Sequence, residues 1–228
     1  MKLGVLFSGG KDSTLALHLA TEKEQQQIVC LITIVSKNKE SYMFHTPNVN
    51  ITDLQAQALE LPLISVETEG HKEEELADLE QAILQAKTLY GIEGVVTGAV
   101  ESVYQTIRVQ KICDKLNLKC FNPLWKHNQK TLLEELLERK FIVVISGVFA
   151  YPLDVFWLGK TLDQTVIEQL TKLSEKYGLS ITGEGGEIET TVLDAPLFKQ
   201  RIEVNNFETK WDHTSGVYVI KKAQLTPK

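Results

Sequence analysis

The chain has 228 residues, 43% hydrophobic and 24% charged, the proportions of a globular protein with room for one large domain or two modest ones. Its 24 Lys and Arg against 30 Asp and Glu leave a net charge of −6, which argues against non-specific binding to nucleic acid or to an anionic membrane. No apolar run approaches the roughly 18 residues of a membrane span. The five residues from Leu3 to Phe7 are too short for a signal-peptide core, and Cys30, Cys113 and Cys120 lack CxxC spacing, so a reduced, cytoplasmic protein is expected.

Leu3–Phe7 reads as a buried strand, followed by a glycine turn and a helix from Ser13 to about Glu22. Ile28–Ile34 is a second strand, and Thr52–Leu61 a helix beyond the loop through Asn38 and Pro47. Leu63–Val66 is a third strand, Lys72–Tyr90 a long amphipathic helix closed by Gly91, Gly94–Thr97 a fourth strand and Tyr104–Leu116 a helix. Strands alternating with helices predict right-handed crossovers and a doubly wound parallel α/β sheet, with ligands beyond the carboxyl ends of its strands.

Past Pro123 the rhythm changes. Thr131-Leu-Leu-Glu134 has capping-box spacing and is expected to open a helix to about Arg139. Phe141–Val148 is an apolar strand and Asp163–Tyr177 a helix stopped by Gly178, followed by short strands at Glu189–Leu193, Arg201–Val204 and Gly216–Ile220. The expected division is a nucleotide-binding domain over residues 1–123 and a smaller α+β substrate domain over residues 124–228.

Ser8-Gly9-Gly10-Lys11-Asp12-Ser13 lies between the first strand and the first helix. Two glycines allow close backbone approach, the helix N-terminus supplies N–H groups, and Ser8, Ser13 and Lys11 add donors, which together make a phosphate cradle. Asp12 would repel a bare phosphate, so it reads as a Mg²⁺ contact or a helix cap. Neither GxxxxGK[ST] nor GxGxxG fits. The sextet resembles the Ser-Gly-Gly-x-Asp-Ser signature of the N-type ATP pyrophosphatases, a superfamily that cleaves ATP between its α and β phosphates.

Gly98 frees the end of the fourth strand for a ligand, while Ser102, Gln105 and Arg108 follow at the start of the next helix. Gln105 and Arg108 share a helical face, and Arg108 is suited to grip a phosphate or carboxylate. Gly183-Glu184-Gly185-Gly186-Glu187-Ile188-Glu189-Thr190 gathers glycines and carboxylates; Glu187 and Glu189 fall on one face of a strand beginning there and favour a cation between them.

With Tyr42-Met-Phe-His45-Thr-Pro-Asn48, Asn122-Pro-Leu-Trp125 and Leu193-Asp194-Ala195-Pro196, these segments resemble the diphthine–ammonia ligase family across nearly the whole chain. Two positions depart from its pattern: Gln110 stands where Glu is expected, and Ile188 where an aromatic is usual. The resemblance implies ATP and Mg²⁺ as cofactors, Ser8–Ser13 and Gly98 as nucleotide-binding residues, Asp12 as metal ligand, and Lys11, Asp12, Glu187 and Glu189 as catalytic. It implies His45, Ser102, Gln105, Arg108, Glu184, Gly185, Gly186, Glu187 and Asp194 as substrate-binding residues. The implied reaction amidates diphthine on translation elongation factor 2 through an acyl-adenylate. No cysteine sits in a glutaminase-type setting, so free ammonium is the expected donor. Alternatives are a tRNA-modifying pyrophosphatase and a non-catalytic nucleotide-binding regulator, with a homo-oligomer left open.

Overall fold

The computed structural model describes residues 1–38, 47–71 and 73–228. Strands β1 (Lys2–Leu6), β2 (Gln27–Ser36), β3 (Leu63–Thr68), β4 (Gly94–Val96) and β5 (Lys119–Phe121) form one sheet in the order β3-β2-β1-β4-β5. Every neighbouring pair is parallel, as crossovers through helices α1 (Lys11–Thr21), α2 (Thr52–Leu59), α3 (Glu75–Tyr90) and α4 (Val103–Lys115) require. Helices on both faces bury the central strands, hence their continuous apolar runs: Leu3, Val5, Leu31, Ile32, Val95 and Val96 are all inaccessible. The strand order reverses between β1 and β4, so a crevice opens beyond their carboxyl ends.

The second half contributes α5 (Gln129–Glu138), α6 (Gln164–Tyr177) and an antiparallel sheet of β6 (Ile142–Val148), β7 (Ile188–Asp194), β8 (Gln200–Asp212) and β9 (Ser215–Pro227), ordered β7-β6-β9-β8. This sheet lies against the α1 and α2 side of the parallel one. A single buried cluster runs from Leu3, Leu15 and Ala56 through Leu132 and Ile167 to Val192 and Ile220. The opposite face packs separately, joining Ile32 to Leu79 and Ile83 of α3 and Ile112 of α4.

Several boundaries differ from the sequence reading. Helix α1 starts at Lys11 rather than Ser13, so most of the cradle motif is helix N-terminus. Helix α5 is capped by Asn128, whose Oδ1 accepts the N–H groups of Lys130 and Thr131 at 3.0 and 3.1 Å. Thr131 therefore lies inside the first turn, and its capping-box spacing with Glu134 is coincidental. Strand β5, only Lys-Cys-Phe, was not predicted: unlike the equally short β4 it has no run of β-branched residues to mark it. The β8–β9 hairpin has 13 residues per strand, far more than predicted: β8 is mostly exposed and lacks alternation, and β9 alternates only over Ser215–Ile220, with Gly216, Tyr218 and Ile220 buried. His45 and the remainder of residues 39–46, with Lys72, lie outside the described residues; α3 begins at Glu75.

Candidate active site

An open cleft of about 550 Å³ occupies the switch point, lined from the parallel sheet by Ser8, Gly10, Lys11, Asp12, Ser13 and Gly98. The turn is folded by its own hydroxyls: Ser8 and Ser13 Oγ atoms lie 3.2 Å apart, and Ser13 Oγ donates to the Gly10 carbonyl at 3.2 Å. Gly10 occupies the N-cap position and offers no side-chain cap, which suits a helix end that receives an anion. Gly98 lines the cleft and has a packing task besides. A Cβ there would lie 2.7 Å from the Ser13 nitrogen and 2.8 Å from the Asp12 carbonyl carbon, so its absence lets β4 abut the start of α1.

The cradle is completed by the second sheet. The Lys11 N–H donates to Thr190 Oγ1 at 3.2 Å, and its buried ammonium donates to the Thr182 carbonyl at 2.5 Å and to Asp12 Oδ2 at 2.8 Å. The Val192 N–H donates to the Gly9 carbonyl at 3.0 Å. Gln55 of α2, fully buried, donates through Nε2 to both the Gly9 and Val192 carbonyls at 2.9 and 2.7 Å. Gly9 sits at φ +78°, and a Cβ there would fall 2.3 Å from Gln55 Oε1. Gln55, Thr182 and Thr190 thus hold the turn; Gln55 and Thr182 lie outside every motif, and Thr190, though it ends the acidic one, reaches the turn only through the tertiary fold.

The acidic loop divides its carboxylates. Glu187 precedes β7 instead of lying in it, and it folds back to accept the N–H groups of Gly185 at 2.9 Å and Ser180 at 3.3 Å. It is a loop clamp and does not line the cleft, which corrects its expected pairing with Glu189. The pair that does face the cleft is Glu184 and Glu189. Burial first, then the negative charge of Asp12, raises Glu184 to about 7 against the pull of Lys11. Burial likewise raises Glu189 to about 7, opposed by Lys11 and assisted by Asp12 and Glu184.

Ser102 caps α4, accepting the Gln105 N–H at 3.3 Å, and both residues line the cleft with Gly185 and Gly186. Arg108 does not. Its guanidinium lies 3.3 Å from the Tyr104 ring centroid and pairs with Glu73 at 2.5 Å, on the α3–α4 side. Asp194 is also elsewhere: at the far end of β7 it binds Lys228 Nζ at 2.7 Å, because residue 194 is five positions beyond Glu189 along an extended strand. Asn48, from the histidine-bearing motif, ties its loop to β9 through the Tyr218 carbonyl and the Ile220 N–H at 2.9 and 2.8 Å.

The residues present fit Mg·ATP. Asp12 Oδ1 is buried without a hydrogen-bond partner among the described residues, an acceptor waiting for a donor or a cation. No group of three or more His, Cys, Asp or Glu is placed to cage a metal among the described residues. A cation held by one carboxylate together with phosphates is the mode Mg²⁺ favours.

A parallel sheet with a Ser-Gly-Gly turn at its switch point, roofed by a carboxylate-bearing antiparallel sheet, is a layout suited to an enzyme that acts on a phosphate-bearing ligand. The model of the diphthamide synthase N-terminal domain matches residues 1–120, and that of the C-terminal domain residues 128–226. The chain is 37% identical over 227 residues to the diphthine–ammonia ligase of Homo sapiens, covering 91% of this chain and 84% of that protein. It is 32% identical over 232 residues to the Schizosaccharomyces pombe protein of that name, covering 95% of this chain and 38% of the yeast one. A solved U34-tRNA thiolase from Methanococcus maripaludis is 17% identical, with a TM-score of 0.41 over 82% of this chain and 70% of that one. The chain belongs to the diphthine–ammonia ligase family.

Proposed function

We propose that the chain amidates diphthine on translation elongation factor 2 to diphthamide, using ATP and ammonium, in the cytoplasm. The observation that carries this reading is one cleft holding both the Ser8–Ser13 cradle and the near-neutral carboxylates Glu184 and Glu189. The diphthine carboxylate attacks the α-phosphorus of ATP, the bond to pyrophosphate breaks, and an acyl-adenylate forms. Ammonia then attacks the acyl carbon and AMP leaves. The backbone around Gly9 and Gly10, with Lys11, stabilises the departing pyrophosphate and positions it rather than reacting with it. Mg²⁺, when bound, supplies charge neutralisation on phosphate oxygens, and Asp12 is the residue to hold it. Only neutral ammonia is nucleophilic, and Glu184, titrating near neutrality, takes up the proton.

The test is incubation with labelled ATP, Mg²⁺, ammonium and diphthine-bearing elongation factor 2. One AMP and one pyrophosphate per amide formed is the expected result. ADP as the main product overturns the chemistry, turnover on tRNA alone makes the protein a tRNA-modifying enzyme, and ATP binding without turnover makes it a regulator.

A further inference from the structure

The cleft contains an aromatic side chain that neither the nucleotide cradle nor the ammonium base uses. Phe149 follows directly on β6, lines the cleft, and remains 38% exposed despite its size. Its backbone is fixed by donation to the Glu187 carbonyl at 2.9 Å. Gly147 pairs with Glu189 across β6 and β7. A Cβ on Gly147 would meet Phe149 Cε2 at 2.6 Å and Glu189 Cβ at 3.0 Å, so the ring folds back over the glycine and stands beside Glu189. Among the three carboxylates of the acidic loop, Glu187 is satisfied by Ser180 and Gly185, and Glu184 by the Glu101 N–H at 3.2 Å. The Glu189 carboxylate accepts no hydrogen bond among the described residues.

We propose that Phe149 and Glu189, in the space Gly147 leaves, form the seat for the quaternary ammonium group of the acceptor substrate. An aromatic ring next to a carboxylate attracts a cation through both quadrupole and charge. A quaternary ammonium has no N–H to satisfy, which matches a wall of ring carbons better than free ammonium does. A separate apolar surface, formed by Leu6, Ile32, Ile34, Leu79 and Val109, lines the cleft and is available to a nucleotide base. This inference rests on the amidation reading for the identity of the substrate, but its binding test does not require turnover.

Choline and its neutral isostere 3,3-dimethylbutan-1-ol serve as probes, titrated by NMR into the full chain saturated with Mg·ATP. Choline should bind more tightly than the isostere. Phe149→Tyr should retain choline affinity within about 2-fold, whereas Phe149→Leu, with similar bulk and no ring, should weaken it roughly 5–10-fold. The KM for diphthine-bearing elongation factor 2 should rise by a similar factor in Phe149→Leu, with ATP affinity and the KM for ammonium unchanged. Choline binding with no amidation in any assay would leave the seat standing and remove the amidation reading. Equal losses in both variants, no preference over the neutral isostere, or weakened ATP binding in Phe149→Leu would overturn the seat while amidation stands.

Discussion

Glu184, Glu187 and Glu189 lie within one glycine-rich stretch and meet two different environments. Glu187 accepts two backbone N–H groups and orders the loop, whereas burial lifts Glu184 and Glu189 toward neutrality. A carboxyl raised from 4.5 to about 7 contributes its full stability below pH 4.5 and loses it as pH rises through 7. Glu189→Gln should therefore stabilise the ligand-free protein by roughly 1–3 kcal/mol at pH 8 and by nearly nothing at pH 4.5. Urea unfolding at the two pH values measures this, and a gain at pH 4.5 that vanishes at pH 8 would reverse the sign of the argument. Asp12→Asn should keep the helix, since Lys11 and the Ser8–Ser13 contacts remain, but lower adenylation on the order of 10²–10³-fold through lost transition-state stabilisation. Pyrophosphate release in single turnover is the readout. Wild-type rates in a folded Asp12→Asn protein would remove Asp12 from the mechanism.

Helix α2 reaches the glycine turn through one residue. Gln55 donates to Gly9 and Val192 at once and so joins the phosphate turn to strand β7. In Gln55→Leu the Gly9 carbonyl retains the Val192 N–H but the Val192 carbonyl loses its buried donor, at a cost of about 1–3 kcal/mol. The turn then samples conformations that bind phosphate poorly, so the KM for ATP should rise roughly 5–30-fold. The KM for ammonium should hold, because Glu184 takes its contacts from Glu101 and Ser180. Steady-state kinetics in each substrate separate the two effects. A variant with normal ATP KM and only reduced stability would make Gln55 purely structural.

At the scale of the molecule, the nucleotide turn is held by hydrogen bonds from the antiparallel sheet, and the two sheets share one buried cluster. Nucleotide binding should therefore be felt across both halves. Mg·ATP at 100 times its dissociation constant should raise the unfolding free energy by about 2.7 kcal/mol in a single transition. Hydrogen exchange at the Val192 N–H, which bonds the Gly9 carbonyl, should slow in parallel. Two separated transitions, with only residues of the parallel sheet protected, would show the halves to be energetically independent.

The parallel sheet, its crossover helices and the phosphate turn were legible in the chain because each is a local pattern: buried apolar runs, helical periods, and glycines between strand and helix. Gly98 was correctly placed at the cleft, but its close approach to α1 depends on two distant backbones meeting. Arg108 and Asp194 had the right chemistry at positions that the fold directs to Glu73 and Lys228 instead. The one-residue offset that puts Glu187 before β7, and so trades Glu187 for Glu184 in the cleft, depends on where strand pairing begins. Gln55 and Phe149 carried no signal, and Thr190 stood in the acidic motif without any sign that it would meet the Lys11 N–H. Local preference and hydrophobic period marked the parallel sheet and the glycine turn; which carboxylates and which aromatic face the cleft was decided by packing one sheet against the other, a long-range event that no short stretch of sequence encodes.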